Sequence, residues 1–77
     1  MAQPFGGHPT FAQYLSWAQG MGCTVNQGVY GTTAVTHIDA HNGRWVIEAG
    51  TSHGEYLSPS KVTQLDRRLG LESPFPS

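Results

Sequence analysis

The chain has 77 residues, four Lys and Arg against five Asp and Glu, a formal charge of -1, 12% charged and 38% hydrophobic residues. A chain this short buries roughly 60% of its unfolded surface and folds as a single domain, which leaves little room for a deep, enclosed active site. The composition suits a globular core, and the charge balance excludes a polycationic footprint for nucleic acid.

The opening MAQPFGGHPT has neither a cationic start nor an apolar run. No stretch approaches the ~20 apolar residues of a membrane span. A soluble, cytoplasmic domain spanning residues 1–77 is expected, with loose ends at about 1–8 and 73–77 where Gly, Pro and Ser gather. The first helix follows: Thr10 acts as N-cap with Gln13 reaching back three residues later, and Phe11, Tyr14, Leu15 and Ala18 share one helical face. Trp17 lies beside that stripe. Gly20 and Gly22 end the helix, and Met21 between them is expected to fold back onto the apolar face. Cys23, the single cysteine, excludes an intrachain disulfide and a Cys-rich zinc site, and reads as a small buried hydrophobe in a reducing compartment.

Cys23 to Gln27 alternates as a short strand, and GVYG, Gly28 to Gly31, is read as a loop, since no helix follows it to cradle a phosphate. Thr32 to His41 and Arg44 to Ala49 then flank Asn42-Gly43, the dipeptide that favours a two-residue hairpin turn. Such a turn sets Ala40 against Trp45, Asp39 against Val46, Ile38 against Ile47 and His37 against Glu48. The core face then carries Ile38, Ala40, Trp45, Ile47 and Ala49. The other face carries His37, Asp39, His41, Arg44, Val46 and Glu48. After a loop from Gly50 to Leu57, Ser58-Pro59 opens a second helix with Val62, Leu65 and Leu69 as its buried stripe, and Gly70 closes it with Leu71 folding over the last turn. The expected fold is α+β, in the order α-β-β-β-α: a three-stranded antiparallel sheet with both helices on one face.

That order, with GTTAV at Gly31 to Val35 and HGEYLSPSKVTQLDRRLGL at His53 to Leu71, resembles the HicA family of small toxin ribonucleases over roughly Phe11 to Leu71. The resemblance implies a double-stranded-RNA-binding-like (dsRBD-like) fold. The family's catalytic signature, a glycine, a small residue and a histidine at the start of the second strand, falls here on Gly31, Thr32 and Thr33, so the histidine is missing. A hydroxyl has no pKa near neutrality and cannot replace an imidazole in proton transfer. HicA-like proteins are also basic, and this chain is not. A relative that keeps the fold without the nuclease chemistry is what the resemblance implies.

His37, Asp39 and His41 at alternate strand positions, with Glu48 across the hairpin, are the right residue types for a first-row metal. A flat strand, however, spaces alternate Cα atoms ~6.5 to 7 Å apart, so three such side chains converge poorly on one ion. His37 with Glu48 is an acid/base pair with no nucleophile beside it, and equally a cross-strand charge pair on a wet face. No catalytic residue, metal or cofactor is assigned. Lys61, Arg67 and Arg68 on the second helix are candidate phosphate contacts, and Arg67 and Arg68 also complement the helix dipole. His53 and Tyr56 form a candidate contact tip in GTSHGEY. Pro74-Phe75-Pro76 reads as a frayed tail with one apolar contact.

The chain is therefore expected to be a small non-catalytic binding module that recognises another macromolecule through His37, Asp39, His41, Arg44, Glu48, His53, Tyr56, Lys61, Arg67 and Arg68. A protein partner is expected, and a compact inhibitor or accessory protein of a phage or mobile element suits that role. The alternatives are a HicA-like RNA-binding toxin or mRNA ribonuclease, as in toxin-antitoxin pairs, and a metal-binding protein. RNA is disfavoured by charge, no membrane contact is expected, and monomer and homodimer stand level.

Overall fold

The computed structural model describes residues 8–76. The elements run α1 (Phe11–Gly20), β1 (Thr24–Tyr30), β2 (Thr33–Asp39), β3 (Trp45–Ala49) and α2 (Pro59–Leu69). The strands form one antiparallel sheet in the order β1-β2-β3. The expected α-β-β-β-α order is the observed one, and both helices bury their stripes against one side of the sheet. The loose end expected at 1–8 lies, except for His8, outside the described residues.

Both helix starts form by the capping expected of them. Gln13 N–H donates to Thr10 Oγ1 at 3.2 Å and Thr10 N–H to Gln13 Oε1 at 2.8 Å, a reciprocal capping box. Two further donors of the first turn of α1 are met by the loop before α2: Phe11 N–H reaches the Glu55 carbonyl at 2.8 Å and Ala12 N–H the His53 carbonyl at 3.0 Å. In α2, Lys61 N–H donates to Ser58 Oγ, Pro59 takes a first-turn position, and Gly70 at φ 69° takes the left-handed position that ends the helix.

The core is Phe11, Tyr14, Leu15 and Ala18 from α1, Ile38 and Val46 from the sheet, Val62, Leu65 and Leu69 from α2, with Cys23 and Leu57 between elements. Leu71 packs against it as expected. Met21 does not fold back; it is exposed beyond the end of α1. At the tail, Phe75 sets its ring 5.9 Å from Tyr14 and 6.0 Å from Trp17, and Ser73 donates to Asp66 Oδ2 through both its backbone N–H at 3.1 Å and its hydroxyl at 2.7 Å. Residues 73–75 are thus anchored to both helices.

Two expectations for the sheet fail. GVYG is not a loop over its first three residues: Gly28, Val29 and Tyr30 continue β1, and the turn is confined to Gly31 and Thr32. More consequential, the β2–β3 register is Ile38 opposite Val46, His37 opposite Ile47 and Asp39 opposite Trp45, one residue away from the two-residue-turn register. Ala40 N–H bonds the Arg44 carbonyl at 3.2 Å, so three residues, His41, Asn42 and Gly43, make the connection, with His41 at φ 57° and Gly43 at φ 87°. Because strand side chains alternate, one residue of slip turns all of β3 over. Val46 is buried at 2% exposure, while Trp45 is 58% and Ile47 53% exposed.

The physical reason lies in two short side chains. Asp39 Oδ1 accepts from His41 N–H at 2.8 Å and Asn42 Oδ1 accepts from Arg44 N–H at 2.9 Å, each bonding the backbone two residues on. Asn42 Nδ2 also donates to the Leu69 carbonyl at 2.9 Å, satisfying an orphan acceptor at the end of α2. Asn42 is committed to a longer turn and to the helix end.

Candidate functional site

The inverted strand changes what the open face of the sheet presents. β2 contributes Val35, His37 and Asp39, all partly exposed, while its alternate residues Thr36 and Ile38 are buried under the helices. β3 adds Trp45 and Ile47. The His37 and Trp45 rings stand 5.9 Å apart at 53°, and His37 lies directly opposite Ile47. On the other side of β2, Asn26 faces His37, and Tyr30 closes the end of the sheet at 85% exposure. The face expected to be wet and charged is therefore a mixed one, with Trp45, Ile47 and Val35 beside His37, Tyr30 at the far end, and Thr24, Asn26, Thr33 and Asp39 around them.

The ten residues read from the sequence as a site do not gather in one place. His37 and Asp39 are on the open face. Glu48 is on the opposite face, so the pairing of His37 with Glu48 is overturned: Glu48 Oε2 instead meets Lys61 Nζ of α2 at 2.7 Å and accepts from Thr51 Oγ1 at 2.8 Å. That contact also occupies the Lys61 ammonium expected to be free for phosphate. Arg67 and Arg68 remain exposed in the last turn of α2. Arg44 lays its stem over Gly70, where a Cβ would come within 2.8 Å of its Cδ.

His53 is exposed and also makes contacts within the fold. Its carbonyl caps α1, its ring packs edge-on to Phe11 at 6.1 Å, and its Nε2 meets the Gln27 side-chain amide. Tyr56 pairs with Thr10 in an isolated bridge beside it.

His41 sits at the end of the sheet with its Nε2 2.6 Å from Thr24 Oγ1 and its Nδ1 3.8 Å from Asp39 Oδ2. A hydroxyl, an imidazole and a carboxylate in sequence have the order of a nucleophilic relay. At 3.8 Å the imidazole and carboxylate are not hydrogen-bonded, and both side chains are more than a third exposed. The arrangement fastens the three-residue turn to β1. Among the described residues no three His, Cys, Asp or Glu side chains gather to hold a metal ion, and Glu48 on the far face removes the fourth member of the candidate metal set.

Trp45, Ile47 and Tyr30 are the surface residues that the sequence reading assigned elsewhere, the first two to the core and the third to a loop. A signal for the correct assignment was present in Asp39 and Asn42, each placed to cap a backbone N–H two residues ahead. No helix among the described residues is long and apolar enough to cross a membrane. Comparison with family models, with curated proteins and with solved structures returned no match to this chain.

Proposed function

We propose that this chain is a non-catalytic binding module that docks a protein partner on the open face of its sheet, with Trp45 and Ile47 as the anchoring side chains and His37 and Asn26 supplying polar contacts. The observation that carries the reading is the exposure of Trp45 beside Ile47, when the opposite register would have buried both. Apolar and aromatic anchors rimmed by polar groups are what the centre of a protein interface is made of. The formal charge of -1 and the commitment of Lys61 to Glu48 argue for a protein partner over a nucleic acid. An inhibitor or accessory role, HicA-like in shape without the nuclease histidine, is consistent with that surface.

A second reading has one observation in its favour: Trp45, His37 and Tyr30 are rings on an open antiparallel sheet, on which unpaired RNA bases can stack. The two readings separate in one experiment. Affinity capture from native extract, with and without nuclease, is run with the intact chain and with a Trp45→Ser, Ile47→Ser variant. A protein retained through nuclease and high salt, and lost with the variant, supports the proposal. Material lost to nuclease, with affinity falling steeply as salt rises, supports RNA. A partner that the variant retains refutes the open face as the docking surface.

A further inference from the structure

The two edges of the sheet are not alike. β3 has five residues and carries Glu48 pointing inward, and a short edge strand with an inward charge is a recognised guard against pairing with another chain. β1 has seven, Thr24 to Tyr30, none of them charged and none proline. It bonds β2 on one side only, and its end is bare: Val29 is 73% and Tyr30 85% exposed. Its outer row of backbone donors and acceptors is the template that an added strand requires.

We propose that two copies of the chain pair antiparallel along this edge of β1, Gln27 facing its own counterpart across a two-fold axis, to make one continuous six-stranded sheet. A two-fold interface needs a surface that complements itself. Centred on Gln27, the strand does so. Val25 falls opposite Val29 and Gln27 opposite Gln27 on the helix side, while Thr24 falls opposite Tyr30 and Asn26 opposite Gly28 on the open side. Every pair is apolar with apolar or polar with a compatible neighbour, and no like charges meet, which would oppose the pairing. The near-neutral chain adds little repulsion between copies.

The helix side also has room. A cavity between α1 and β1 is lined by Leu15, Ser16 and Gln19 of the helix and by Val25, Asn26 and Gln27 of the edge strand, and in the dimer it would receive the partner's Gln27 and Val29 side chains. Pairing would cover the exposed Val29 and leave Trp45 and Ile47 free, because they lie two strands away. The dimer therefore stands independently of the function proposed above, and its test involves no other partner.

Light scattering on the purified chain across a wide concentration range reads the state directly. The expected mass is twice that of the chain, falling to that of one chain for Gln27→Lys, which sets two ammonium groups against each other at the axis, and for Val29→Lys, whose site is so exposed that the monomer fold does not need valine there. Antiparallel partners stand about 4.5–5.5 Å apart at Cα, inside the span a disulfide bridges. A Gln27→Cys, Cys23→Ala variant should therefore form a covalent dimer in air, whereas a Ser60→Cys, Cys23→Ala variant, altered at an exposed position of α2, should not. A chain that stays monomeric at every concentration, or a dimer unmoved by both lysine variants, overturns the proposal.

Discussion

Asp39 stands opposite Trp45 in the β2–β3 ladder, and Val46 therefore points into the core while Trp45 points out. This pairing decides the chemistry of both faces of the sheet. With Trp45 inside, the open face would carry His37 beside Glu48 and look like a wet, charged surface.

Substitution separates the two arrangements. Val46→Ser places a hydroxyl in the core and removes a buried valine, at a cost of about 2–3 kcal/mol by chemical denaturation. Trp45→Ser, on the exposed face, should stay within roughly 0.5–1 kcal/mol of the parent. A Trp45→Ser loss of about 3–5 kcal/mol, the range for emptying a core aromatic site, would restore the other register.

The Glu48–Lys61 contact at 2.7 Å fixes β3 to α2, with Glu48 the more buried partner. Lys61→Ala leaves that carboxylate desolvated with Thr51 as its remaining hydrogen-bond donor. A loss of about 1–3 kcal/mol is expected. Glu48→Gln in the Lys61→Ala background should recover part of it, since the neutral amide costs less to bury. A double-mutant cycle that returns no coupling between the two positions would contradict the pairing.

Tyr14 hydroxyl donates to Asp66 Oδ1 at 2.6 Å in the core while Ser73 holds Oδ2, so one carboxylate joins α1, α2 and the tail. Burial, then the hydrogen bond and charge of Asp66, push the Tyr14 phenol well above its ordinary value of 10.0. Burial and the nearby Asp39 raise the Cys23 thiol above 9.0. Both groups keep their protons when folded and lose them more readily when unfolded. Stability is therefore full below about pH 9 and declines as pH rises through 9 and 10, where only the unfolded chain releases protons. Denaturation midpoints followed from pH 7 to 11 should fall above pH 9, and Tyr14→Phe should flatten the upper part of that fall while costing about 1.5–3 kcal/mol at neutral pH. A midpoint independent of pH across that range would contradict the burial of both groups.

Helices and their ends were legible in the sequence because their signals are local: Thr10 with Gln13, Ser58 with Pro59, and Gly70 each act within one turn. The apolar stripes followed from spacing alone. The sheet was legible only in outline. Burial preference argued for Trp45 and Ile47 inside, and Asn42-Gly43 argued for a two-residue turn, so two general rules agreed on the wrong register. They lost to the caps that Asp39 and Asn42 place on the backbone two residues on, joined by a contact no local window contains, Asn42 reaching Leu69 across 27 residues of chain. The site residues scattered for the same reason: Glu48 changed face with its strand, and His53 was drawn into capping α1.

The three-residue connection permits a test by deletion. Removing His41 from the observed register leaves Ala40 facing Arg44 across Asn42-Gly43, the two-residue turn whose twist best suits a hairpin. Every side chain of β2 and β3 keeps its face. The deletion also removes a non-glycine residue from positive φ, which costs roughly 1–2 kcal/mol, and forfeits both the contact with Thr24 and the bond from His41 N–H to Asp39. The shortened chain should fold with stability within about 1 kcal/mol of the parent and retain the Trp45 fluorescence of a solvent-exposed indole. In the alternative register, where His41 itself faces Arg44, the same deletion would shift the ladder by one residue and turn one strand's core side chains to solvent. A deletion variant that fails to fold, while a His41→Gly variant folds, would therefore assign the chain to that alternative.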